Sequence, residues 1–209
     1  INTKLFLANT TTDIDALCER HRNYEICRDN GAQLKVIAKM GLESNMKHKM
    51  KLLTEPFFDI GFGINYQKGN DFLVKGISQQ IENIPDELDN LVVSCGSGLV
   101  TAGILLGLIK SNKKVKRVYS IQIANISRAK IINRYITSPF DMMRFGYQHL
   151  LYDEYLPYSK KCIVNVTPDF PLDHLYEAKA HKWMEKNISP DEKTLYWVVG
   201  NANFIRTKR

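Results

Sequence analysis

Apolar and polar residues alternate along this chain in segments whose lengths are typical of strands joined by helices. Short apolar or alternating runs predict strands at Lys4–Ala8, Ala32–Ala38, Leu91–Val93, Val115–Ile123, Cys162–Val166 and Thr194–Val199. Helical spacing, capping residues and terminating Gly or Pro predict helices at Ile14–Asn30, Met46–Thr54, Asp71–Asn83, Leu99–Leu108, Ser127–Tyr135 and Asp173–Lys186. Residues 138–158 predict a helix followed by a loop, and residues 61–65 a glycine-spaced loop.

Strands that alternate with helices in this way are typical of α/β proteins. We predict parallel-sheet layers with flanking helices, divided near Pro85 into two lobes. The smaller α/β lobe spans residues 1–85 and the larger one residues 86–209. Ligands of open parallel sheets bind at the carboxyl ends of the strands, so we expect a site between the lobes.

The segment Leu91–Leu108 combines a short strand, a loop of small residues and an apolar helix. This arrangement can bind an anion, because the first N–H groups of a helix lack partners within the helix and glycine lets the backbone approach a phosphate. The hydroxyl groups of Ser97 and Thr101 can add donors. A plain strand-to-helix turn, with glycines for packing, explains the same residues, and the loop alone leaves both interpretations open.

Composition narrows the class of protein. The chain has 209 residues, and no apolar run reaches the ~18–20 residues that a membrane helix needs. Its start lacks the pattern of a signal peptide. Cys18, Cys27, Cys95 and Cys162 show no metal-binding spacing, so we predict no metal site and expect free thiols in a reducing cytoplasm.

The net charge of +7 permits an anionic partner, nucleic acid included, without requiring one. The basic residues concentrate in Lys47–Lys51 and Lys110–Arg117. The second cluster falls between a predicted helix and the next predicted strand. A solvated loop explains it without a ligand, and we favour that interpretation.

Several segments, in order, resemble one enzyme family. Leu91–Gly103 resembles a "VV-x-x-GSG-x-x-x-AG" signature, and Leu172–Ala180 resembles a "DP-x-Y-E-G-K" helix start. Weaker similarities lie at Asn23–Val36, Gly63, Phe72–Gln80 and Trp197–Asn201. On these residues the chain resembles the tryptophan-synthase-β-like (fold type II) pyridoxal-phosphate enzymes, most closely the branch of 1-aminocyclopropane-1-carboxylate deaminase and D-cysteine desulfhydrase.

The resemblance implies a pyridoxal 5'-phosphate cofactor in a cleft between two lobes, and a homodimer. The residues that would bind the cofactor are Cys95, Gly96, Ser97, Gly98, Leu99, Val100, Thr101, Glu177 and Gly200. Of these, Glu177 matches the carboxylate that faces the pyridine nitrogen, where it would keep that nitrogen protonated. Tyr176 matches a catalytic tyrosine near the substrate. Without the resemblance, these two residues suit an ordinary surface helix start.

The chain also departs from the family pattern. Leu99 and Val100 replace a Gly-Thr pair, and residues 199–201 replace a "TGG" turn. The lysine that holds the cofactor covalently belongs to a segment that would precede Ile1, and no lysine here matches it. Lys35, Lys39 and Lys51 stand in the wrong context, and Lys179 falls on a different lysine of the family. Either the sequence is part of a longer enzyme, which the missing initiator Met favours, or it is a relative without covalent catalysis.

The leading hypothesis is a pyridoxal-phosphate enzyme of the lyase or deaminase type, acting at the α- or β-carbon of an amino acid or similar amine. The alternatives are a pyridoxal-phosphate enzyme that modifies an amine on nucleic acid, a non-catalytic phosphate- or nucleotide-binding relative, and an α/β domain whose glycine loop is only structural.

Overall fold

The computed structural model describes most of the chain with helices and parallel strands. The described residues are 4–8, 11–20, 22–38, 48–52, 71–123, 128–151, 161–162, 172–174 and 176–199. The chain divides into two compact units, residues 1–62 and residues 63–209. Both are α/β with parallel strands, so the predicted fold class is confirmed at that level.

The first unit contains a parallel pair of strands, β1 (Lys4–Ala8) and β2 (Gln33–Ala38), joined through α1 (Ile14–Arg20) and α2 (Arg22–Asp29). The Asp13 carboxylate accepts the Ala16 N–H at 3.1 Å and so caps α1. Gly31, with φ +84°, ends α2 in the left-handed conformation that favours glycine. Both strands match their predictions closely, whereas the single helix predicted over 14–30 is two helices.

The second unit begins with α3 (Asp71–Gln79) and a 3₁₀ turn (Gln80–Asn83). It continues through β3 (Glu87–Cys95), α4 (Leu99–Lys110), β4 (Lys114–Gln122), α5 (Ala129–Tyr135), α6 (Pro139–Arg144), β5 (Gln148–Leu151), α7 (Glu177–Asn187) and β6 (Thr194–Trp197). The four strands among its described residues form one parallel sheet in the order β5-β4-β3-β6.

Two apolar layers cover the central strand. Leu91 and Val93 of β3 pack in one cluster with Ile104 and Leu108 of α4. Val92, which points to the opposite face, packs in a second cluster with Ala180 of α7. Because successive side chains of a strand face opposite sides, this alternation places helices on both faces of the sheet.

The predicted division after residue 85 differs from the structure. Helix α3 packs on α4, with Gly103 and Gly107 of α4 against Ile77 and Ile81. The absence of a Cβ at these two glycines lets the helices approach closely. Helix α3 therefore belongs with the sheet of the second unit, and the division lies earlier in the chain.

Two local predictions were wrong. The strand predicted at Leu91–Val93 is longer than expected: β3 begins at Glu87, because its backbone pairs with β4 from Lys114 onward. Residues 138–158 were predicted without a strand, but Gln148–Leu151 form β5 beside β4.

Other predictions fall partly on residues outside the described part of the chain. Residues 48–50 of the helix predicted at 46–54 are helical. The loop predicted at 61–65 and residues 163–166 of a predicted strand lie outside it. Helix α7 begins at Glu177 rather than Asp173, although the Asp173 carboxylate accepts the Tyr176 N–H at 2.9 Å.

Candidate functional site

The glycine loop, residues 96–98, lies where β3 ends, next to a reversal in strand order. From β3 the chain moves outward to β4 and β5, and then returns to the other side of β3 as β6. Such a reversal point, at the carboxyl ends of parallel strands, is where open α/β sheets bind ligands. The sheet therefore places the predicted loop at its most favourable position for a site.

The backbone of this loop leads directly into α4. Gly98 precedes the helix with φ +88°, and its carbonyl accepts the Ala102 N–H at 3.0 Å. Because this left-handed conformation disfavours residues with a Cβ, glycine is required there. A Cβ at Gly98 would also approach the Arg128 Cβ to 3.2 Å. The first N–H groups of α4 thus open onto the loop, with Arg128 beside it.

The predicted cofactor residues divide into an accessible part and a buried part. Gly96 and Ser97 are partly exposed, as is Val100. Cys95, Leu99 and Thr101 are almost fully buried, with exposed fractions of at most 1%. Their side chains belong to the core, so these residues can offer a ligand only their backbone.

Thr101 corrects a prediction. Its hydroxyl was expected as a donor to an anion, but its Oγ1 lies 3.0 Å from Ser120 Oγ beneath the loop. Ser120 Oγ in turn lies 3.2 Å from His149 Nδ1. Burial lowers the pKa of His149, which favours its neutral form. These three side chains form a buried polar chain that links α4 to β4 and β5.

Tyr176 lies against the glycine loop, 80 positions away in sequence. A Cβ added to Gly96 would collide with the Tyr176 hydroxyl oxygen and would lie 3.0 Å from two of its ring carbons. Gly96 is therefore the residue that makes room for the phenol. The structure brings together the two motifs that carried the resemblance.

Glu177, the first residue of α7, is 2% exposed. Its carbonyl accepts the hydroxyl of Tyr196 on β6 at 2.7 Å. Burial, assisted by the negative charge of Glu177, raises the pKa of Tyr196 and keeps that phenol neutral. The start of α7 is thus held to the sheet beside the loop. Gly200 lies outside the described residues.

Two residues beside the loop, Gln122 and Arg128, were not predicted from the sequence. Gln122, at the end of β4, donates from Nε2 to the Cys95 carbonyl at 3.1 Å and accepts the Arg128 N–H at 3.1 Å. Arg128 donates from Nε to the Gly96 carbonyl at 3.1 Å. A polar residue between Ile121 and Ile123 at a strand end was the available signal for Gln122. Nothing in the sequence distinguished Arg128 from its basic neighbours.

Lys179 is fully buried on α7. Burial lowers its pKa, while the negative charge of Asp173 opposes that shift. Lys35 and Lys51 are exposed residues of the first unit, and Lys39 lies outside the described residues.

The basic cluster Lys110–Arg117 lies around the start of β4, at the amino ends of the strands, whereas the loop lies at their carboxyl ends. Acidic partners on β3 and on the connections beside it pair with four of its members, in the pairs Lys113–Asp86, Lys114–Glu87, Lys116–Asp89 and Arg117–Glu192. These carboxylates neutralise most of the cluster. Its solvated-surface interpretation therefore accounts for the residues better than an anion site does.

Comparisons with protein-family models, with curated proteins and with solved structures found no match. All four cysteines are free thiols. Among the described residues, no helix has the length and apolar character needed to cross a membrane.

Proposed function

We propose that this protein binds pyridoxal 5'-phosphate at the glycine loop and acts on an amino acid or similar amine, in chemistry of the lyase or deaminase type. The observation that carries the proposal is the contact between Tyr176 and Gly96. Two motifs that resemble one family at distant positions in the sequence meet at one point of the fold. A purely structural glycine turn does not require that coincidence.

The residues at this point fit the phosphate of the cofactor. Gly96 and Ser97 are partly exposed, and α4 directs its positive end toward the loop. Arg128 contributes a cation beside the loop. The Ser97 Oγ lies 3.5 Å from the Leu99 N–H, at the mouth of the helix. Loop N–H groups and the Ser97 hydroxyl would hold the phosphate, so the proposal needs no hydroxyl from Thr101.

The cofactor, when bound, supplies an electron sink for negative charge at the α-carbon of a substrate. Tyr176 would position the substrate and hold or move a proton at its phenolic oxygen. Glu177 would favour a protonated ring nitrogen through its negative charge. The two-lobe cleft and the homodimer implied by the resemblance belong to this proposal.

A non-catalytic phosphate- or nucleotide-binding protein is the second candidate. The glycine loop, the start of α4 and Arg128 suit a phosphate group whatever it is attached to, and this candidate needs no covalent lysine. The nucleic-acid variant of the enzyme has less support, because the ion pairs of the Lys110–Arg117 cluster leave little free positive charge there. It predicts salt-sensitive binding of DNA or RNA.

The test is titration with pyridoxal 5'-phosphate, followed by absorbance before and after borohydride and by mass analysis of the peptides. We expect saturable binding, which Gly96→Ala weakens because its Cβ displaces the Tyr176 ring. Gly76→Ala is the matched control, since a Cβ there meets nothing within 4 Å. Tyr176→Phe should retain binding, because it removes only the oxygen.

Each outcome decides between the candidates. A borohydride-stable adduct on a lysine supports the enzyme, and the peptide mass identifies that lysine. Binding without an adduct supports the non-catalytic candidate. Absence of binding, or equal binding by Gly96→Ala, would reject a cofactor site at this loop.

A further inference from the structure

Two side chains at the end of β4 and just before α5 donate hydrogen bonds to the carbonyl groups of Cys95 and Gly96, where β3 passes into the loop. Gln122 Nε2 donates to the Cys95 carbonyl and Arg128 Nε to the Gly96 carbonyl, each at 3.1 Å. The Cys95 carbonyl also accepts the Ile123 N–H at 3.0 Å. Both carbonyl oxygens therefore point toward the end of β4 and the start of α5.

This orientation fixes where the neighbouring N–H groups point. In a trans peptide the C=O and N–H bonds lie on opposite sides, and the described residues contain no cis peptide bond. The N–H groups of Gly96 and Ser97 consequently face away from Gln122 and Arg128. Two donors thus point to the side of the loop opposite Gln122 and Arg128.

The peptide between Gly96 and Ser97 is the weak point of this arrangement. Glycine adopts backbone conformations closed to other residues, so this peptide can rotate at little steric cost. Rotation would replace the Ser97 N–H by a carbonyl oxygen on the side opposite Arg128. An oxygen there repels an anion, and the hydrogen bond from Arg128 opposes that rotation.

Arg128 is itself well anchored. Its backbone N–H donates to Gln122 Oε1, and Gln122 is 1% exposed. Its Cβ lies next to Gly98, close enough that a Cβ at Gly98 would approach it to 3.2 Å. The backbone and Cβ of Arg128 are therefore fixed next to the loop. A side chain that orients a peptide needs such a fixed attachment.

We propose that Arg128 is a positioning residue, which locks the Gly96–Ser97 peptide with its N–H toward the phosphate of a bound ligand and so sets the preference for phosphorylated ligands. This inference rests on the proposed phosphate site. It assigns to Arg128 a role through the backbone and not through direct contact with the ligand.

The test compares pyridoxamine 5'-phosphate with pyridoxamine by calorimetric titration. Neither probe has an aldehyde, so no lysine is needed for binding. Arg128→Met should weaken binding of the phosphorylated probe about tenfold, the effect of one hydrogen bond to a charged group, and leave pyridoxamine unchanged. The matched control is Lys130→Met, which removes an exposed cation from the same helix.

The outcomes separate the two proposals. Wild-type protein that binds both probes equally would overturn the phosphate site and this inference with it. Wild-type discrimination that Arg128→Met retains, or that Lys130→Met loses as strongly, would overturn the inference alone.

If Arg128→Met does not fold, the amide of Ser97 gives a second measurement on wild-type protein. Inorganic phosphate should shift the Ser97 N–H resonance in an NMR titration. A Ser97 resonance that stays unchanged, while resonances at the start of α4 shift, would contradict the proposed orientation.

Discussion

Polar groups lie beside the apolar core at both ends of β3 and β4, but their interactions differ between the two ends. At the amino ends, carboxylates and lysines on the surface pair one to one. At the carboxyl ends, the buried Gln122 and the partly exposed Arg128 donate to carbonyl groups at the loop, and Thr101 and Ser120 lie within hydrogen-bond distance of each other. The first arrangement uses its charges within the protein. The second holds the backbone of the loop in place, as the proposed phosphate site requires.

The amino-end pairs follow the strand register. Asp86, Glu87 and Asp89 each pair with the residue 27 positions later, and Glu87 lies opposite Lys114 in the sheet. A slip of one residue would break these pairs as well as turn apolar side chains to the wrong face. These charges therefore act together with the core to define the register.

The largest effect is expected where α4, which carries the loop, packs on α3. A Cβ at Gly107 would collide with Ile81 and with the Ser78 carbonyl, a backbone atom that cannot move aside. Gly107→Ala should lower the free energy of unfolding by about 1–3 kcal/mol through overpacking, more than the gain of up to about 1 kcal/mol in helix propensity. Chemical denaturation measures the difference.

Gly76→Ala is the matched control on α3. It is exposed and a Cβ there meets nothing, so it should raise the free energy of unfolding by about 0.5–1 kcal/mol. Equal effects of the two substitutions would show that close packing of α3 on α4 does not hold the loop's helix.

Much of this frame followed from the sequence, because it depends on local patterns. The apolar run 99–108 predicted α4, and the glycines predicted the turn before it. Strand β5 could not be predicted, since the four residues of Gln148–Leu151 show no alternation that separates them from a loop. They form a strand because β4 offers them an edge to pair with.

The same reasoning applies to the site. The loop itself was predicted, because glycines and small residues signal backbone geometry. The contact between Tyr176 and Gly96 depends on how α7 packs on the sheet, which no local pattern records. Thr101 was misassigned for the same reason, since only the fold shows that it faces Ser120. Pairings across long sequence separations are the part that the sequence did not reveal.

A smaller effect is expected in the buried polar chain beneath the loop. Ser120→Ala removes a hydroxyl that lies within hydrogen-bond distance of both Thr101 and His149. It should cost about 1–2 kcal/mol of unfolding free energy, because the buried Thr101 and the half-buried His149 each lose this partner. Thr101→Val, which retains the Ser120–His149 contact, should cost about 1 kcal/mol. A cost for Thr101→Val that equals or exceeds that of Ser120→Ala would contradict the central position of Ser120.

Acidification should have the smallest effects on the free energy of unfolding. It should also distinguish the amino ends of β3 and β4 from their carboxyl ends most directly. The pKa of His149 is lowered by burial, so its contribution is complete above the unfolded value of about 6.5 and declines as the pH falls below it. Lysine partners lower the pKa of Asp86, Glu87 and Asp89 through hydrogen bonds. Their contribution is complete above the unfolded values of about 4 and declines only as the pH falls through the lower folded values.

Unfolding free energy should therefore decline in two separate ranges of pH, and each end of the strands should control one of them. His149→Gln should flatten the decline that begins as the pH falls below about 6.5, and it should leave the contribution of the carboxylates unchanged. Glu87→Gln should reduce the decline below about pH 4.5, and salt should have a similar effect because that pair is exposed. Denaturant titrations at a series of pH values measure both. If His149→Gln instead removed a gain in stability on acidification, the histidine would be protonated in the folded protein, and the polar chain beneath the loop would need a different protonation state from the one inferred from its burial.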